Sequence, residues 1–181
     1  FTDATTKFSA KAFGGTLNAS LLEILEHRGS GRLIEYTPST GKSKVIMDGL
    51  VFANGVAVSH DQASVLVNET GNYRVLRYWL GGPRAGQVDI VIDNLPGFPD
   101  NISAARNGGY YVGLASPRSR AVDKLADSPF LRKIVQRLPK LLRPQGQAYG
   151  HLIKISERGE IERSLQDPTG AFPFTTGAIE T

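Results

Sequence analysis

Two short stretches carry oxygen donors at matching places. Asp100 and Asn101 stand side by side at the end of Asn94-Leu95-Pro96-Gly97-Phe98-Pro99, directly before an apolar run. Asn54 holds the same place 46 residues upstream, in Phe52-Ala53-Asn54-Gly55 ahead of Val56-Ala57-Val58. A carboxylate and neighbouring amides are hard oxygen ligands of the kind calcium takes. The alternative for each stretch is a capped turn that orients the strand after it. One copy alone favours the turn; the second copy favours the ligand reading. The prolines and glycine of 94–99 imply a stiff approach in which neither a helix nor a central strand runs.

The elements that would position these donors repeat with the same period. From Asn54, short strands are expected at Val56–Ser59, Ser64–Asn68, Tyr73–Leu80 and Val88–Ile92, separated by turns rich in Gly, Asn and Asp. Four antiparallel strands in ~46 residues is the size of a propeller blade. The next unit opens at Asp100 with Ile102–Ala105 and Tyr110–Leu114, and resumes after an insertion at His151–Ser156 and Ile161–Leu165. A further start is expected at Thr176-Gly177-Ala178-Ile179. The division that follows is a partial blade over 1–50, a blade over 51–93, a blade over 94–168 with a helical insert at 116–147, and the start of another over 171–181.

Both insertions read as helices. Asn18–Glu26 carries Leu21, Leu22 and Leu25 on one side, behind caps at Asn18 or Ser20. In the second, Ser128 caps, Pro129 takes the first helical position, and Leu131, Ile134, Val135 and Leu138 form an apolar stripe that Pro139 ends. About three blades cannot close a ring, and an open propeller leaves sheet edges bare. The expectation is a portion of a longer protein, or a chain that pairs with other chains.

With 181 residues, 40% of them hydrophobic, the chain is long enough for one good core. It has no cysteine, so neither disulfides nor thiolate metal sites arise. No secretory signal and no apolar run of membrane-spanning length is present in these residues, which leaves the compartment open. The net charge of +4 is unevenly placed: 118–143 holds eight Lys/Arg against two Asp, and the remainder is acidic. Nothing resembles a zinc-finger spacing or an aromatic–basic strand signature, so nucleic-acid binding has no support.

At Gly31-Arg32-Leu33-Ile34-Glu35-Tyr36, Phe52-Ala53-Asn54-Gly55-Val56, Leu66-Val67-Asn68-Glu69-Thr70 and Leu95-Pro96-Gly97-Phe98-Pro99-Asp100-Asn101-Ile102 the sequence resembles the strictosidine synthase-like group of β-propellers, close to the gluconolactonase/senescence-marker and paraoxonase families. The resemblance implies an all-β fold, a six-bladed β-propeller of which about three blades are present here, with two helical insertions. It also implies a calcium ion in the central tunnel, with Asn54, Asp100 and Asn101 matching ligand motifs. The other usual ligands, a glutamate and an asparagine, would lie upstream of Phe1.

On that resemblance the expected activity is calcium-dependent hydrolysis of esters or lactones, arylesterase-like. Asp100 would be the catalytic base, and Phe98, Phe172, Phe174 and Thr176 would line the substrate pocket. Pictet–Spengler condensation of an amine with an aldehyde is the alternative; its glutamate has no counterpart in 171–176, and Glu180 is the nearest acid. The paraoxonase histidines have no match, which leaves His27, His60 and His151 as structural or solvated. A non-catalytic binding module is the remaining alternative, with 118–143 serving as a membrane-surface contact or a lid. Sequons begin at Asn18, Asn68 and Asn101, and a glycan on Asn101 would exclude it as a ligand.

Overall fold

A computed structural model describes residues 1–180 except positions 126 and 145; those two positions of the second insert, and the last residue of the fourth unit, lie outside the described residues. The strands are β1 (Thr2–Asp3), β2 (Gly31–Thr37), β3 (Lys42–Leu50), β4 (Ala53–Val58), β5 (Ser64–Glu69), β6 (Arg74–Trp79), β7 (Val88–Ile92), β8 (Gly97–Ala104), β9 (Tyr110–Pro117), β10 (Gly150–Ile155) and β11 (Ile161–Asp167). Helix α1 (Thr16–Glu26) fills the first insertion; α2 (Arg120–Leu125) and α3 (Pro129–Arg137) fill the second.

These strands form three antiparallel meanders, β1-β2-β3, β4-β5-β6-β7 and β8-β9-β10-β11, a partial β-propeller. The sheets stack face to face, so a central strand is apolar on both faces. On β5, Leu66 packs into a core shared with Val75, Ile102, Tyr110 and Val112, while its neighbour Val67 packs into another with Leu33, Leu50 and Leu76. Because neighbouring side chains of a strand point to opposite faces, one strand serves two interfaces. The outermost strand β11 is exposed along most of its length.

Three elements depart from the sequence reading. β8 begins at Gly97 rather than Ile102 and runs through Pro99. It is an edge strand, paired on one side with β9, where a proline's missing N–H costs no ladder bond. Helix α1 starts at Thr16 behind Gly15, ahead of the caps expected at Asn18 or Ser20; Asn18 Nδ2 instead donates to Gly14 O. Thr176–Ile179 forms no strand, although its backbone follows β8: Asn101 N–H donates to Thr176 O at 2.8 Å.

Candidate functional site

β4 and β8 each carry a register break at the motif. On β4, Ala53 pairs with Glu69 but Val56 pairs with Val67; on β8, Pro99 pairs with Leu114 but Ile102 with Val112. Each break inserts one residue, a β-bulge that bends the strand and re-aims the side chains within it. Asn54-Gly55 and Asp100-Asn101 occupy these two bulges. Gly55 lets the strands meet: a Cβ there would lie 2.5 Å from Asp100 O and 2.6 Å from Asn101 Cα, so only bare backbone fits.

A polar network ties the two bulges together. Asn54 Nδ2 donates to Thr70 Oγ1 at 3.3 Å, and that hydroxyl donates to Pro99 O at 2.6 Å. Thr2 Oγ1 donates to Asn54 O at 2.6 Å, which joins the first sheet to the same point. Asn68, wholly buried, donates Nδ2 to Asp100 O at 2.8 Å and leaves Oδ1 without a partner among the described residues. Burial pushes the Asp100 carboxyl above its ordinary range, and a smaller opposing pull comes from the Asn54 amide that hydrogen-bonds it.

Asn54, Thr70 and Asp100 line a cavity of about 680 Å³. Phe52 and Phe98 contribute its apolar wall, Leu21 and Ile24 of α1 another side, and Phe174 a partly exposed aromatic face. The ring of Phe98 packs tilted against Tyr73 with centroids 4.7 Å apart, and the Arg118 guanidinium lies 4.3 Å over the Tyr73 ring. Arg118 in turn binds Asp123 at 3.2 Å and the side chain of Asn94, so the start of the second insert is tied to the blade beneath it.

Of the residues singled out from sequence, Asn54, Asp100, Phe98 and Phe174 come together in this cavity. Asn101 is exposed, with its Cβ near Gly177, and Thr176 reaches it through backbone. Phe172 is 76% exposed and Thr176 is also exposed; neither is among the residues that line the cavity. Thr70 and the α1 leucines went unassigned; the polar run Asn68-Glu69-Thr70 after an apolar strand was the signal for Thr70.

Other titratable groups lie elsewhere. Glu180 accepts the Arg106 N–H at 2.8 Å. His60 bridges Glu157 and Ala105 O between adjacent sheets. His151 is buried beside Ser164, and burial lowers its pKa. Among the described residues no group of three His, Cys, Asp or Glu is placed to hold a metal.

The strictosidine synthase family profile matches residues 1–83. The adipocyte plasma membrane-associated protein of Bos taurus is 36% identical over 176 residues, covering 94% of this chain and 41% of that protein. The strictosidine synthase-like 13 protein of Arabidopsis thaliana is 38% identical over 152 residues, covering 81% and 38%. The chain thus spans about two fifths of the length of these relatives. Two solved structures share the fold. A luciferin-regenerating enzyme aligns with TM-score 0.51 at 20% identity, over 76% of this chain and 37% of its own. The regucalcin of Agrobacterium tumefaciens aligns with TM-score 0.50 at 13% identity, over 77% and 37%.

Proposed function

The chain belongs to the strictosidine synthase-like family of β-propellers, and from that premise we propose that the Asn54–Asp100 cavity hydrolyses esters or lactones with calcium as cofactor. One observation carries this reading: a half-buried carboxyl, held against an amide, in a chamber whose lining is mainly apolar and also includes Arg118 and Arg120. An apolar chamber with a few convergent polar groups suits a small organic substrate.

The donor set fits part of a calcium shell. Asn54 directs its amide N–H groups at Thr70 and Asp100, which leaves Oδ1 for a cation, and Asp100 supplies a carboxylate. Buried Asn68, whose Nδ2 donates to Asp100 O, keeps its Oδ1 without a partner among the described residues. Calcium takes about six to eight oxygens, so the rest come from water, substrate and residues beyond these two strands. When bound, such an ion polarises a carbonyl and stabilises the oxyanion.

The chain's own residues do the remaining work. Phe52 and Phe98 hold the apolar part of the substrate and exclude water around it. Asp100 takes the proton of the attacking water as general base. Thr70 fixes the Asn54 amide against it.

The test is a calcium titration of the full-length protein with aryl esters and lactones, together with Asp100→Asn. Chelation is expected to abolish turnover, and Asp100→Asn to lower kcat/KM by about 100-fold or more. Turnover indifferent to chelator, or full activity in Asp100→Asn, overturns the reading.

A further inference from the structure

Helix α3 is mounted the opposite way round from a surface helix of a water-soluble domain. At 100° per residue, Phe130, Leu131 and Ile134 share one side and Arg132 and Gln136 the other. The polar side faces the protein. Gln136 Nε2 donates to Leu22 O of α1 at 3.2 Å. Burial, and after it the nearby Arg132 guanidinium, lowers the His27 imidazole pKa, and Arg132 Nε is shielded from water without a partner among the described residues. Much of the apolar side faces out: Phe130 is 73% exposed, Leu131 47% and Ile134 45%, and Leu141 and Leu142 just beyond the helix are 88% and 65% exposed, while Val135 and Leu138 are half-buried. No residue of α3 is buried.

One flank of the exposed arc is basic. Lys133 and Arg137 are both exposed, and neither forms a salt bridge among the described residues. The segment 118–143 holds eight Lys/Arg against two Asp. An outward apolar arc with cations along one edge matches an interface of the same layering: anionic groups outside and hydrocarbon beneath. A helix of nine residues is far too short to cross a bilayer, and no helix among the described residues is long and apolar enough to do so.

We propose that residues 129–143 lie flat on an anionic lipid surface, with Phe130, Leu131 and Ile134 in the acyl boundary and Lys133 and Arg137 among the headgroups. Helix α1, to which α3 is fastened by its polar side, borders the cavity. Docking therefore holds the cavity beside the membrane, where apolar substrates concentrate. The surface stands independently of the hydrolase reading.

The experiment uses the full-length protein labelled with an environment-sensitive fluorophore at Leu131→Cys, with any cysteine outside these 181 residues replaced, the 181 themselves containing none. Vesicles of phosphatidylcholine alone are compared with vesicles of about 70:30 phosphatidylcholine and phosphatidylserine. A blue shift is expected with the anionic vesicles, falling about tenfold in apparent affinity in ~0.5 M salt or in Lys133→Glu/Arg137→Glu. Phe130→Asp/Ile134→Asp, scored in the same labelled background, should remove the shift while leaving the melting temperature unchanged. No shift with anionic vesicles overturns the proposal, as does a shift that survives the double aspartate variant. Dimerisation without lipid, abolished by that variant, also overturns it and assigns the face to a second copy.

Discussion

Helices α1 and α3 touch one another and are both amphipathic, yet they meet the propeller in opposite senses. Helix α1 turns its apolar side inward and buries Ala19, Leu22, Ile24 and Leu25. Within that apolar face sits Glu23, 1% exposed, whose carboxylate accepts the Ser30 N–H, the Ser30 hydroxyl and the Thr5 hydroxyl at 2.8–2.9 Å. Those three donors come from the strand ends that frame the insertion, so α1 is latched at both entry and exit. Helix α3 has a single described hydrogen bond to α1 from Gln136 and buries nothing. An apolar stripe states that a face will be covered; it does not state by what.

The comparison breaks first at Leu25. Leu25→Ala, at a site 2% exposed, is expected to cost about 3 kcal/mol, read as a lower denaturation midpoint at unchanged slope. Leu131→Ala on α3 should cost less than about 0.5 kcal/mol. Equal losses would show that α3 is packed as firmly as α1. Next in size is Glu23→Ala, expected to cost about 2 kcal/mol because it leaves the Ser30 and Thr5 donors without their acceptor. Through the wall formed by Leu21 and Ile24 it should also raise KM for any apolar substrate. Gln136→Ala should cost about 1 kcal/mol or less, yet speed amide hydrogen exchange in α3 while leaving α1 protected.

The smallest effect concerns the cavity that α1 borders. Burial raises the Asp100 pKa in the folded chain, so between the unfolded and folded values the native state binds more protons than the unfolded state. Stability from this group is therefore highest below its unfolded pKa and falls as pH rises through the folded one. Asp100→Asn removes that cost and should raise the melting temperature at neutral pH by roughly 1–3 °C while activity is lost. The gain should vanish in acid, below the unfolded pKa. A gain that persists there would place its origin in packing rather than ionisation.

Much of the site was legible because its signals are local. The Asn54 and Asp100 stretches announce themselves through polar residues poised before apolar runs, and both side chains reach the cavity. The same reasoning treated Asp100 and Asn101 as equivalent donors, and adjacency hid their difference. A bulge at 100–101 sends Asp100 toward the cavity and leaves Asn101 exposed beside Gly177, and no local pattern shows which way a bulge turns. Phe172 and Phe174 lie in the same irregular segment, two residues apart, yet only Phe174 lines the cavity. Loop side chains follow tertiary contacts rather than periodicity.

The sequence alone determined most of the strands and the two helical insertions, because turn chemistry and period-2 alternation act over a few residues. Tertiary structure decided what those elements face. Gly55 brings bare backbone against β8, and Asn68 and Thr70 reach across from β5 and its end to hold it. The outward mounting of α3 was likewise decided by Gln136 finding Leu22 O on a helix more than a hundred residues earlier in the chain. Contacts of that range depend on how the sheets stack, and stacking is a property of all the interfaces together rather than of any one stretch.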